Sequence, residues 1–492
     1  TLTAGLDGSY ALMAGLVRWA EQHAPRIRSI AVSTVAHHLA GTTAVQELAY
    51  ALATGVAYLR GLAENGVEPR DAARQMIFRF AIGRDLFMEA AKLRAYRRLW
   101  SRAAEVCGAG EDGRAATIHA IASPRGLTTR DPWVNMLRTT VGGFAATVGG
   151  ADLITIQPFD HALGLSDRLA RRMARNTQTI LREESHLGRV VDPGGGSWYL
   201  EWLTDELAHA AWERFQAIET NGGMASVLCD GTIATQLDRV QADREESIAT
   251  RRDPITGVSS YPNLAEGRLE RERAEPPDPV IAGDTAEELA RLFKTAIDSK
   301  GDGDLIESAV AAAAADAGIG QLAVAFRGTR NETSVAALPA QREAEIFERL
   351  RDATDAWLAA HGARPRIFLA NMGPIPEHKP RATFANNFFE TGGIEALGNE
   401  GFESIELALE AFETSGTRMA VICSSDSRYP DVVPELAAGL ETRGARTVLL
   451  AGKPGEHETA WRASGVTGFI HMGCDQYRLL VDLLQEEGVL HV

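Results

Sequence analysis

An imidazole directly after an apolar run is the first place to look for chemistry. His378 sits in the run MGPIPEHKP, residues 372–380, which follows the strand-like segment RIFLANM. Glu377 stands beside it. A histidine there could ligate a metal, but Pro374, Pro376 and Pro380 stiffen the segment, so a solvated loop histidine is expected. Two further histidines, His37 and His38, come just after the apolar segment RSIAVST, and His119 and Ser123 belong to the run ATIHAIAS. The turn DPGGGSWY, Asp192 to Tyr199, has the glycine content of a phosphate cradle. A tight connection into a helix accounts for it better. GGIEALGNEG, Gly392 to Gly401, reads the same way, as a loop between α/β elements. No Walker pattern and no zinc spacing occur. Cys107, Cys229, Cys423 and Cys474 lie far apart, which fits free thiols in a reducing cytosol and predicts a cytoplasmic protein.

Alternating strands and helices must position these groups. Strands are expected at RSIAVST, ATIHAIA and DLITIQ. Helices are expected over about 43–62, 84–105, 131–148, 166–184 and 198–220. Val45, Leu48, Leu52, Val56 and Leu59 recur at helical spacing on one face. After about residue 253 the character changes, and ERERAEPPDPV, near 270–280, reads as linker. A helix over about 342–361 leads into the last block. There RIFLANM, RMAVICSS, ARTVLLAG and TGFIHMG alternate with amphipathic helical segments. That spacing predicts a doubly wound parallel sheet of flavodoxin type, with ligands beyond the carboxyl ends of its strands.

The chain of 492 residues is too long for one core. Its net charge of -16 argues against nucleic acid or an anionic membrane as partner, and no run of about 18 apolar residues suggests a membrane span.

The stretch from Pro158 to Met224 is similar to the barrel of the cobalamin-dependent acyl-CoA mutases. The pieces that carry the resemblance are ARNTQ at Ala174 to Gln178, the pair Glu184-Ser185, the Asp192-Pro193 turn and Gly222-Gly223-Met224. QELAYALATG, Gln46 to Gly55, resembles the same family. The likeness runs over about 10–262 and resumes from about 364. It implies an α/β protein in three parts. Residues 1–262 would be the C-terminal part of a (β/α)₈ TIM barrel, 263–363 a linker with helices, and 364–492 a flavodoxin-like domain of the cobalamin-binding kind. Only about four barrel strands are expected, against the eight of a full barrel, and the resemblance starts midway through the family's barrel. The family segment with substrate-binding Gln and Arg residues is thus expected upstream of Thr1.

The resemblance also says where a mutase site would be. Active members carry Asp-x-His-x-x-Gly after the first strand of the cobalamin domain. Those three positions fall on Ile375, Glu377 and Pro380. Ile375 cannot orient an imidazole, Glu377 is a hard oxygen ligand, and Pro380 fixes φ where glycine gives freedom. The family's Tyr and His at a barrel strand end fall on Val35 and Ala36, with His37 one register away. A second rim element keeps His119 and Ser123, with Ile121 at the family's Gln position. The expectation is therefore no catalytic, metal or cofactor-binding residue in this chain, and a vestigial rim at His37, His119 and Ser123. Adenosylcobalamin would sit in a large catalytic subunit, paired with this small, non-catalytic chain in a heterodimer. That complex would interconvert methylmalonyl-CoA and succinyl-CoA by radical chemistry, or act on another branched acyl-CoA such as isobutyryl-CoA. The alternatives are an active mutase chain with altered cobalt ligation and a binding module without chemistry.

Overall fold

A computed structural model describes residues 5–273, 291, 304–326, 335 and 337–490. Part of the expected linker, residues 274–280, lies outside the described residues, as does Thr1. The chain forms two compact units. One draws on 1–126, 135–241 and 271–341, the other on 127–134, 242–270 and 342–492.

The first unit is built on four parallel strands in chain order: β1 (Ile30–Ser33), β2 (Met76–Ile82), β3 (Ile118–Ala122) and β4 (Leu153–Thr155). The register runs Val32 to Phe78, Phe80 to Ala120 and Ile121 to Thr155. Side chains alternate across a strand, so Ile30, Val32, Phe78, Phe80, Ile118 and Ala120 point to one side and are buried. Helices Ala44–Glu64, Leu86–Val106 and Asn135–Val148 lie against the sheet. The centre of that layer is aromatic. The Phe78 ring stands 4.5 Å from Trp100 and 4.9 Å from Tyr96, and the Trp100 indole donates to the Gly113 carbonyl at 3.0 Å. On the other face Ala31, Ser33, Leu153 and Thr155 are exposed, and Arg79 and His119 half-buried. The sheet is open, with no closed barrel among the described residues.

Strand β2, MIFRFAI, is missing from the sequence-based reading. Arg79 interrupts its apolar run, and a strand packed on one side needs no more than the alternation it has.

The second unit is a five-stranded parallel sheet in the order β6-β5-β7-β8-β9. The strands are β5 (Arg366–Asn371), β6 (Glu395–Leu397), β7 (Met419–Cys423), β8 (Thr447–Ala451) and β9 (Gly468–Ile470). Every residue of β7 and β8 is buried, and their sequences MAVIC and TVLLA are nearly unbroken apolar runs. Parallel strands covered on both faces need this composition. One face packs on Phe388, Phe389, Leu480 and Leu484, joined by Ile248, Ile255 and Val258 from upstream. The other packs on Phe412, Leu436, Leu440 and Trp461. GGIEALGNEG is not simply a loop, because it contains β6. Three residues flanked by glycines are too few to show a period in sequence.

Gly393 precedes β6 at φ +79°, and a Cβ there would overlap the buried Thr354 hydroxyl. Gly393→Ala is expected to lower unfolding free energy by at least about 1–2 kcal/mol, the cost of a left-handed residue with a side chain. The midpoint of urea unfolding measures it, and an unchanged midpoint would contradict the packing described.

Candidate functional site: a buried ionic network and an ion-paired crevice

The carboxyl ends of β1, β2 and β3 converge on one buried charged network. Thr43 caps the helix Ala44–Glu64 in a box with Gln46, and this places Glu47 in the first turn. Asp85 caps the helix Leu86–Val106, which puts Glu89 and Lys92 three residues apart on one side. Glu47 and Lys92 are each 1% exposed. The Lys92 ammonium donates to Glu47 Oε2 at 2.9 Å and to the Ala81 carbonyl at 2.7 Å, and stands 2.6 Å from Glu89 Oε2. Two of its protons thus have hydrogen-bond acceptors, and Glu89 adds a second opposite charge. The Thr34 hydroxyl donates to Glu47 Oε1 at 2.8 Å, and the Ala81 N–H at 3.2 Å. Glu89 Oε1 accepts the Gly83 N–H at 2.9 Å.

His38 extends the network. Its Nδ1 is 3.4 Å from Glu47 Oε2 and its Nε2 2.7 Å from Ser123 Oγ. With a carboxylate facing Nδ1, the proton belongs there and Nε2 accepts from the Ser123 hydroxyl. Ser123 Oγ in turn accepts the Arg125 N–H at 3.1 Å, and Arg125 Nη1 donates to the His38 carbonyl at 2.7 Å. Serine, histidine and glutamate so joined have the connectivity of a nucleophile relay. Here Lys92 already neutralises the glutamate, and His38 is 2% exposed. The arrangement fastens three strand ends together.

Burial alone would lift the Glu47 carboxyl, but the Lys92 ammonium and His38 hydrogen bond outweigh it and hold it well below its ordinary 4.5. Burial would lower the Lys92 ammonium, yet Glu47 and Glu89 raise it. Burial, then the Arg125 charge, lowers the His38 imidazole, and burial lowers His37.

The residues singled out in sequence are dispersed. Val35, Ala36, His37 and His38 form the short helix Val35–Leu39 rather than a polar loop. Ala36 is exposed, and the His37 ring lies 5.4 Å from Tyr50 with both nitrogens buried and without a hydrogen-bond partner. His119 is on the open face of the sheet, its Nε2 2.9 Å from Thr155 Oγ1. Ser123 meets His38, so the structure brings these two together and leaves His119 apart. Glu47, Glu89 and Lys92 were not singled out. Their signal is a charge set among apolar neighbours, as Lys92 is between Ala91 and Leu93.

In the second unit, the run after β5 is the start of a helix, Ile375–Glu390, and not a stiff loop. Pro376 sits in its first turn, where its missing N–H costs nothing. Glu377 Oε2 accepts from Arg428 Nε at 2.6 Å, across to the segment after β7. Arg381 pairs with Asp426 at 2.8 Å over the same gap. His378 is buried, its Nδ1 3.0 Å from the Gly373 carbonyl, instead of being solvated. Gly401, at φ +102°, leaves the room that ring occupies. Ile375 and Pro380 are exposed. The DPGGGSWY turn leads into the helix Trp198–Thr220, and its Gly196 N–H donates to the Glu201 carboxylate at 3.1 Å. A carboxylate thus takes the donor that a phosphate would need.

Lys92→Met should lower unfolding free energy by about 3–5 kcal/mol, since it strands Glu47 uncompensated. Adding Glu47→Gln should recover part of the loss. A loss in the single variant below about 1 kcal/mol would show that water reaches the pair. The three depressed imidazoles, His37, His38 and His119, also set a pH dependence. The unfolded chain binds their protons near 6.5 while the folded chain does not, so stability is full above 6.5 and falls as pH drops below it. Unfolding midpoints between pH 8 and about pH 5 measure this. His38→Gln should flatten the slope, and an unaltered slope would contradict a buried neutral His38.

The methylmalonyl-CoA mutase family profile matches residues 1–340. The chain is 42% identical over 98% of its length to the methylmalonyl-CoA mutase small subunit of Streptomyces virginiae, covering 68% of that protein. It is 41% identical over 87% of its length to the probable methylmalonyl-CoA mutase small subunit of Mycobacterium tuberculosis (strain ATCC 25618 / H37Rv), covering 60% of that protein. It is 33% identical over 99% of its length to the methylmalonyl-CoA mutase small subunit of Propionibacterium freudenreichii subsp. shermanii, covering 67% of that protein. The chain therefore spans between 60% and 68% of the length of these relatives. On this match the chain belongs to the methylmalonyl-CoA mutase family.

Proposed function

We propose that this chain is the small, non-catalytic subunit of a heterodimeric methylmalonyl-CoA mutase, and that the large subunit interconverts methylmalonyl-CoA and succinyl-CoA. In this reading adenosylcobalamin is bound by the large subunit, and the complex is cytoplasmic. The observation that carries it is the Glu377–Arg428 pair at the carboxyl ends of β5 and β7. The family's cobalt-ligating imidazole would come from position 377. Here a carboxylate stands there, held by a guanidinium, on a helix that starts at Ile375. His378, next in sequence, is turned onto the Gly373 carbonyl. Ile375 gives no oxygen to orient an imidazole, and Pro380 is in the helix body. These residues do not fit a corrin, so no step of the radical reaction is routed through them.

The fold supports the same reading. The order β6-β5-β7-β8-β9 is that of a flavodoxin-type sheet, whose ligand crevice opens between β5 and β7. That is where Glu377 and Arg428 meet. The four strands β1 to β4, with helices on one side and a half-exposed opposite face, suit part of a (β/α)₈ barrel whose interior is that face. The relatives named small subunit are longer than this chain, which leaves length for the remaining strands.

Two measurements test the reading. The chain, expressed with a large mutase subunit, should co-purify with it. Alone and mixed with adenosylcobalamin, it should retain no corrinoid absorbance after gel filtration. Retained cofactor with a protein nitrogen on cobalt would overturn the non-catalytic assignment and favour an active chain. Failure to pair with any large subunit would overturn the heterodimer.

A further inference from the structure

The second unit contains a buried group of arginines that neither the crevice nor the family likeness uses. It joins three segments: Arg130, the stretch Asn263 to Arg268, and the helix Glu345–His361 with Arg364 beyond it. Arg351 is 2% exposed, and its Nη2 donates to the Asn263 carbonyl at 3.1 Å. Its Nε and Nη1 are buried with no hydrogen-bond partner, and so is Nη1 of Arg364.

The nearby carboxylates are already committed. Asp355 receives Arg130 Nη1 at 2.6 Å and Arg364 Nη2 at 2.5 Å. Asp352 receives Arg130 Nη2 at 2.6 Å and Arg268 at 3.2 Å. Glu266 accepts the Asp131 N–H at 2.7 Å. Burial raises the Glu266 and Glu390 carboxyls, so both hold their charge less firmly than surface groups. Burial, then repulsion from Arg130 and Arg364 against attraction from Asp355, brings the Arg351 guanidinium down to about 10.

Buried polar groups in native proteins are almost always satisfied, by protein, water or an ion. The unfilled groups on Arg351 and Arg364 are donors on mutually repelling cations. What suits them is an acceptor that also carries negative charge; water supplies only the first. We propose that Arg351, with Arg364 and Arg130, binds a small inorganic anion, of the halide or phosphate kind, which holds the three segments of the second unit together.

The test is thermal unfolding of the full chain while sodium chloride replaces sodium gluconate at constant ionic strength, with inorganic phosphate titrated in a second arm. An anion bound to the folded state alone raises the midpoint with concentration. The midpoint should climb with chloride, phosphate or both, and the arm that responds at the lower concentration identifies the anion. In Arg351→Met the dependence should disappear. An equal dependence in the variant, or none in the wild type, would overturn the site. Should the variant fail to fold, bromide-soaked crystals of the wild type decide the matter by anomalous scattering. A bromide peak within hydrogen-bond distance of Arg351, or phosphate density there in crystals grown with inorganic phosphate, supports the proposal, and the absence of both overturns it.

Discussion

Lys92 and Glu47 are withdrawn from water together, and neither charge would survive there alone. Their attraction, the Glu89 carboxylate and the carbonyl of Ala81 compensate what desolvation costs. The geometry of the first unit follows from keeping this set intact. Glu47 must enter from the first turn of one helix and Lys92 from the second turn of another. Both helices are therefore fixed in rotation and in height relative to the ends of β1 and β2. The capping residues Thr43 and Asp85 set where each helix begins, and so deliver each charge to its place. The aromatic rings of Phe78, Tyr96 and Trp100 lie at the centre of the apolar core, but many packings of such rings would be nearly as good. A buried ion pair tolerates far less displacement.

Charge is used differently in the second unit. Glu377 and Arg428 are partly exposed, and an ion pair in such a setting adds little to stability. Its importance lies in its position. In a doubly wound sheet the crevice beyond the strand ends is the natural ligand site. Here a side chain pair spans that gap, beside a proline-started helix. In the first unit His38, Ser123 and Arg125 bind one another at the strand ends.

The two sheets also differ in how they are covered. The second has helices on both faces and strands of unbroken apolar residues. The first is covered on one face, and its strands alternate, with Ala31, Ser33 and Thr155 on the open side. Parallel sheets are seldom stable with a bare face.

Much of the fold was legible in the sequence because its signals are local. The period of Val45 to Leu59 marked a helix, and MAVIC and TVLLA marked buried strands. Family motifs such as ARNTQ carried the likeness. Where local signals were short or contradicted, the reading missed: β6 has three residues, and Arg79 breaks the run of β2. The burial of His378 and the meeting of His38 with Ser123, 85 positions apart in the chain, were decided only by tertiary structure. So was the partnership of Glu47 with Lys92. The energy of such contacts depends on dielectric surroundings and on distance in space, and a linear chain states neither.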